Sequence, residues 1–254
     1  MGRKLADNSN RRHPTPSQIT LAVVLQVRGR KLHVLLWQRA QAPFRGSWSL
    51  PGGRLESGET LEESIRRQLE AKVDVHELAH LEQLETLSDP SRVPHEWQLA
   101  TAYVGLVPSD VDARLPGDTA WHAAGRLPKL AFDHRTIVLA GRDRLRAKLS
   151  YTNIGFALAP AEFTLSELRD LYTAALGHPV SATNLQRVLV RRAVIEPTGA
   201  RRASGPTGDA RARSTVSGAG ASRSRINSRC SVRRDPPAPR FRRTGYGPQD
   251  RVAT

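Results

Sequence analysis

The stretch Trp48-Ser49-Leu50-Pro51-Gly52-Gly53-Arg54-Leu55-Glu56-Ser57-Gly58-Glu59, running on into Thr60–Ala71, decides how the chain is read. Its first half is loop, punctuated by Pro51, Gly52, Gly53 and Gly58, residues that set turn geometry. Its second half has helical periodicity, with Leu61, Ile65 and Leu69 at a spacing of four forming one apolar stripe. A glycine pair alone is an ordinary turn. Here Gly53, Glu59 and Arg67 also stand in a fixed register that ends on the apolar Val75, which a chance turn does not require.

Outward from this centre, Ile19–Val27 is β-branched and apolar and reads as a strand buried on both faces. Arg28-Gly29-Arg30 is a turn and Lys31–Gln38 a second strand, so a hairpin precedes the loop. Gln98–Leu106 alternates as a further strand, and Phe132–Leu149 reads as an amphipathic helix on Ile137, Val138, Leu145 and Leu149. A second unit begins near Tyr151. Thr164-Leu165-Ser166-Glu167 has the capping-box pattern, in which hydroxyl and carboxylate satisfy open backbone donors reciprocally. The helix that follows buries Leu165, Leu168, Leu171 or Tyr172, and Ala175 or Leu176, and ends at Gly177. After the connector His178-Pro179-Val180, Ser181 or Thr183 caps another helix running to about Ala193.

The stretch at the centre resembles the Nudix family, whose motif is Gly, five residues, Glu, seven residues, then Arg-Glu-apolar-any-Glu-Glu-any-Gly-apolar. Gly53, Glu59 and Arg67 fall at the motif spacings, and Leu69 and Val75 fill its apolar slots. The departures are Gln68, Ala71 and Lys72 in place of the three glutamates that hold magnesium or manganese in the family's hydrolases, and Asp74 in place of the glycine. Magnesium needs carboxylate oxygens together with diphosphate oxygens. Gln68 is a neutral and weaker ligand, Ala71 offers none, and Lys72 brings a positive charge. The domain is therefore read as non-catalytic, with no metal. Glu63 and Glu70 flank Arg67 at helical contact spacing and read as ion pairs rather than as a rebuilt metal site.

Tyr151–Gly199 resembles the C-terminal domain of the Nudix-related transcriptional regulators of NAD biosynthesis, the NrtR family. The stretches that carry this are Leu127–His134, Glu162–Leu168 and Val194–Gly199. The resemblance implies an α+β chain: a Nudix α/β/α sandwich with a mixed sheet, then a winged helix-turn-helix. It also implies a homodimer that binds double-stranded DNA and senses ADP-ribose or a related nucleotide in the Nudix cleft, with no further cofactor. The effector candidates are Arg39, Arg45 and Arg54 around the loop, with Gly52 and Gly53 as backbone donors. Trp48 either stacks on a base or packs, and Phe132, Asp133 and His134 lie either near the cleft or at the domain junction. On the second helix of the C-terminal unit, Leu185, Val188 and Leu189 form the apolar stripe while Asn184, Arg187 and Arg191 gather on a neighbouring arc. Arginine forks to guanine and asparagine to adenine. Thr183, Asn184, Arg187, Arg191 and Arg192 are the DNA-binding candidates, and the Arg201-Arg202 pair suits phosphate.

Composition sets the frame. Of the net charge of +15, +10 lies in 200–254, which holds thirteen Arg, no Lys and three acids, so the rest of the chain is only mildly basic. The hydrophobic fraction of 39% is low for one compact globule. The lone Cys230 excludes an internal disulfide and a cysteine-based zinc cluster. The polar start of the chain lacks a signal-peptide core, and no apolar run reaches membrane length, so a cytoplasmic protein away from membranes is expected. The expected boundaries are a basic arm over 1–16, the Nudix-like domain over 17–149, the winged helix over 150–208 and a disordered Arg-rich tail over 209–254, in which no strand pattern is seen. That tail is either a basic arm or the product of a frame change that replaced the natural end. Two other functions stay open: hydrolysis of a nucleoside diphosphate derivative such as ADP-ribose, and nucleic-acid or partner binding through the tail alone. The leading reading is a repressor of NAD biosynthesis or salvage genes.

Overall fold

The computed structural model describes residues 15–93, 96–191, 195–201 and 239–243. Its first unit, which takes in the described residues up to Pro160 together with Leu171–Pro179, is built on a mixed sheet. The central strand β1 (Ser17–Arg28) runs antiparallel to β2 (Lys31–Gln38) and parallel to β6 (Gln98–Leu106). Outside β6 lies β5 (His80–Leu87), while β2 also pairs with β3 (Trp48–Ser49) and β7 (Thr119–Ala123), and β4 (Gly52–Arg54) pairs back onto β1. A strand covered on both faces is apolar on both through its middle, and in β1 Leu21 to Leu25 are all buried, flanked by the buried polar Thr20 and Gln26.

Alternate β1 residues serve the two layers. Ala22 and Val24 join Ile65, Leu69 and Val73 of helix α1 (Leu61–Val73) in one core cluster with Leu35 and Tyr103. Val23 points the other way, toward helix α2 (His134–Tyr151). A Cβ added to Gly141 of that helix would lie 2.9 Å from the Val23 side chain, so glycine lets helix and strand close up. Burial of each such aliphatic side chain stabilises the fold by about 1.5–3 kcal/mol.

Helix α1 begins at a reciprocal cap: the Glu63 N–H donates to Thr60 Oγ1, and the Thr60 N–H donates to Glu63 Oε2 at 2.7 Å. Glu63 is thus engaged at the cap. Arg67 pairs instead with Glu59 and Glu56, which corrects the expected Glu63–Arg67–Glu70 ladder. The helix ends at Asp74 with φ 52°, a left-handed cap at the position where the family motif places glycine. Phe132 has φ 51°, which cannot continue a helix, so α2 starts at His134 rather than at Phe132. Besides the short β3 and β4, which the sequence reading left inside the Gly-rich loop, two longer strands escaped it. Neither His80–Leu87 nor Thr119–Ala123 has a strong apolar alternation, and each is held by pairing with β6 or β2.

The second unit comprises residues 161–170 and the described residues from Val180 onward. It holds strand β8 (Glu162–Thr164) and the first half of helix α3 (Leu165–Leu176), whose residues from Leu171 fall in the first unit; the predicted cap is in place, with the Thr164 N–H donating to Glu167 Oε2 at 2.7 Å and the Glu167 N–H to Thr164 Oγ1 at 3.2 Å. Gly177, with φ 80°, terminates α3, and the Ser181 hydroxyl accepts from the Asn184 N–H at the start of helix α4 (Ala182–Arg191). A three-stranded antiparallel sheet completes the unit in the order β8–β10–β9, with β9 over Ile195–Arg201 and β10 over Pro239–Arg243. The expectation that 209–254 contains no strand is corrected at Pro239–Arg243, which pairs with both neighbours. Five residues with three arginines carry little local strand signal, and here the two partners fix the strand.

Candidate functional site

A cleft of about 500 Å³ opens beside the Gly-rich loop, a size suited to a small-molecule ligand. Its floor is made by Ile19, Leu21, Leu50 and the backbone of Gly52 and Gly53. Gly52 can have no side chain: an added Cβ would lie 2.1 Å from the Thr20 carbonyl oxygen. A Cβ on Gly53 would meet the Gln68 amide at 2.4–2.6 Å. The loop is anchored from α1, where Arg67 donates Nη2 to Glu59 Oε1 at 2.6 Å and Nε to Glu59 Oε2 at 2.9 Å. These bonds hold the Glu59 carboxyl down to about 2.

Four cations line the cleft: Arg39, Arg54, Lys72 and Arg92. Arg54 pairs with Glu96 at 2.8 Å. Arg92 grips Asp133 with two bonds, Nε to Oδ2 at 2.6 Å and Nη2 to Oδ1 at 2.9 Å. That engagement explains why Asp133 makes no side-chain cap to α2, which it precedes. Arg39 lies over the Phe132 ring at 4.8 Å and donates Nε to the Pro43 carbonyl. Lys72 donates Nζ to the Gly52 carbonyl at 2.6 Å and sits 5.0 Å from the centre of the Trp37 ring. Burial lowers the pKa of Arg39, and burial with the charges of Arg67 and Arg39 lowers that of Lys72.

At the back of the cleft His134 is buried. Its Nδ1 accepts from the Leu50 N–H at 3.0 Å and lies 3.0 Å from Ser49 Oγ. Desolvation depresses its pKa to about 4. The ring is therefore neutral, and it fixes the loop backbone as an acceptor.

On α4, Leu185 and Leu189 are buried, whereas Thr183, Asn184, Arg187 and Arg191 are exposed. At about 100° per residue the four exposed positions fall in one arc. Arg187 Nη2 donates to Asn184 Oδ1 at 3.3 Å. Val188 is 39% exposed and so leaves the apolar stripe assigned to it, and Val190 at 57% exposure borders the polar arc. An exposed helix face with two arginines, an asparagine and apolar edges has the donors and contacts that base readout uses.

Comparison with known proteins matches residues 17–140 to the NUDIX domain and residues 155–212 to the NrtR DNA-binding winged helix domain. A crystal structure of Shewanella oneidensis NrtR complexed with a 27mer DNA superposes with a TM-score of 0.68 at 26% identity, covering 89% of this chain and 93% of that one. The chain belongs to the Nudix family and carries, after its Nudix domain, a winged helix domain homologous to that of the NrtR regulators. It is 28% identical over 201 residues to the ADPR responsive transcriptional repressor NtrR of Acinetobacter baylyi, spanning 76% of this chain and 80% of that protein. It is also 33% identical over 121 residues to an ADP-ribose pyrophosphatase of Methanocaldococcus jannaschii, spanning 45% of this chain and 67% of that protein.

Among the residues expected in the NrtR-type cleft, Arg39, Gly52, Gly53 and Arg54 line it. Trp48 and Arg45 do not: the Trp48 ring meets His122 edge-on at 4.3 Å, and Arg45 is exposed outside the cleft wall. Phe132 and His134 line the cleft, and Asp133 sits beside it through Arg92. Lys72, Arg92 and Glu96 were missed as cleft residues. Lys72 had a signal, since it replaces a motif glutamate. Arg92 and Glu96 come from the segment before β6 and have no spacing relation to the motif. Arg192 and Arg202 lie outside the described residues. No group of three or more His, Cys, Asp or Glu able to hold a metal occurs among the described residues. None of their helices is long and apolar enough to cross a membrane.

Proposed function

We propose that the chain is a transcriptional regulator that represses NAD biosynthesis or salvage genes, and that its Nudix-fold domain binds ADP-ribose or a related nucleotide as an effector. The observation that carries this is the presence on one chain of a cation-lined Nudix cleft and an α4 face bearing Thr183, Asn184, Arg187 and Arg191. Its support from relatives is the match to DNA-bound NrtR over both units and the similarity to a repressor described as ADPR responsive. Arg39, Gly52, Gly53 and Arg54 are the proposed effector contacts. The proposed domain limits are 17–149 for the sensor and 150–208 for the DNA reader, with Pro239–Arg243 completing the latter's sheet. A dimer matches the palindromic sites such proteins read, and regulation of genes places the protein in the cytoplasm.

Hydrolysis is disfavoured by the site. Lys72 Nζ bonds the Gly52 carbonyl at a position where the family's hydrolases carry a metal-binding glutamate, and Gln68 turns its amide toward Arg54 and Gly53. These residues do not fit a divalent cation.

The deciding experiment is a gel-shift titration of the full chain on its own upstream region, with and without ADP-ribose. A shift that is salt-sensitive and moves with ligand is expected. Absence of any shift on promoter duplexes would count against regulation, and AMP released from ADP-ribose in the presence of Mg²⁺ or Mn²⁺ would establish the hydrolase reading.

A further inference from the structure

The charges in the cleft do not balance. Arg54 is matched by Glu96 and Arg92 by Asp133. Neither Arg39 nor Lys72 has a carboxylate partner among the described residues. The cleft therefore holds two uncompensated cations, and the charges of Arg67 and Arg39 add to burial in disfavouring the charge on Lys72.

Both are built in rather than left to solvent. Lys72 spends one of its three donors on the Gly52 carbonyl and rests against Trp37, while Arg39 is stacked on Phe132 and tied through Nε to Pro43. What each has left over is donors and charge. Two fixed positive charges in a partly desolvated cleft call for a ligand with two negative charges on neighbouring groups. A nucleoside diphosphate has them.

We propose that Arg39 and Lys72 together take the diphosphate of the effector without any divalent ion, the Lys72 ammonium standing where a Nudix hydrolase holds its metal. This rests on the effector reading above and deepens it: the site's charge is supplied by the chain, so the bound diphosphate is neutralised without a cation that could activate water. Chelators leave sensing intact.

The test is calorimetry on the full chain with two probes, ADP-ribose and inorganic diphosphate, each in EDTA and in Mg²⁺ or Mn²⁺. Equal affinity in EDTA and in metal is expected. Lys72→Met and Arg39→Gln should each weaken binding by about ten- to hundred-fold, the loss of one charge-assisted contact. The second variant guards against a folding defect in the first, and melting curves verify both. Binding seen only with metal overturns the proposal, as does undiminished affinity in both variants. If inorganic diphosphate binds in EDTA and ADP-ribose does not, the proposal stands and the effector reading falls. If neither probe binds under any condition, both fall.

Discussion

Protonating His134 should unlatch the loop that forms the cleft floor. The ring is 3% exposed, and its Nδ1 faces the Leu50 N–H at 3.0 Å with Ser49 Oγ at the same distance. A proton on Nδ1 would set donor against donor. Burial therefore favours the neutral ring, with Arg92 and Arg39 adding to the shift and Asp133 opposing it, and the pKa falls from 6.5 to about 4. The unfolded chain then binds more protons than the folded one between those values, so stability is complete above about pH 6.5 and declines as pH falls toward 4. At 1.36 kcal/mol per pKa unit, the part lost between about pH 7 and pH 5 is roughly 2 kcal/mol. The assay is urea unfolding followed by tryptophan fluorescence, since Trp37, Trp48, Trp97 and Trp121 all lie in the first unit. His134→Asn keeps an acceptor near the Nδ1 position and removes the titration. His122, also depressed by burial, contributes in the same direction to both proteins, so the difference between them isolates His134. A His134→Asn protein that loses as much stability as the parent from pH 7 to pH 5 would refute the reasoning.

Other expectations follow from particular contacts. Gly52→Ala should cost about 3 kcal/mol, the upper end of overpacking penalties, because the obstacle is the Thr20 backbone; thermal melts would show it. Gly53→Ala should cost less in stability yet weaken nucleotide binding, because the flexible Gln68 side chain can swing away into the cleft wall; calorimetry separates the two effects. Asp74→Gly should raise stability by about 1 kcal/mol, since glycine adopts the left-handed cap without a Cβ penalty, read as a higher denaturation midpoint. Arg187→Ala should weaken operator binding by about 1–3 kcal/mol if it reads a base, and should lower the salt slope by about one if it clamps a phosphate. A gel-shift series across salt concentrations distinguishes these.

Much of this molecule could be read before its coordinates, for reasons that differ by element. Lys31–Gln38 and Gln98–Leu106 were delimited to the residue, the first by the turn before it and the Gly- and Pro-rich loop after it, the second by its alternation. His80–Leu87 was invisible because only its pairing to β6 makes it a strand. In the cleft, Arg39, Gly52, Gly53 and Arg54 were legible because they sit in or beside a motif whose spacing is linear in sequence. Arg92 and Glu96 were not, because only the sheet's parallel β1–β6 pairing brings their segment back to the loop. For Trp48, left open between stacking on a base and packing, a sequence does not show that His122 of β7 comes to meet it.

The second sheet takes its middle member from Pro239–Arg243, far along the chain from both of the strands it joins. During synthesis β8 and β9 emerge without their shared neighbour, and pairing with a strand so distant in sequence carries an entropic cost that local pairing would avoid. A premature stop after Arg201 would therefore yield a product that still holds nucleotide in its cleft but whose DNA-reading module lacks its organising strand. Under the proposed function, such a fragment would draw effector away from the full-length protein while leaving promoters unbound.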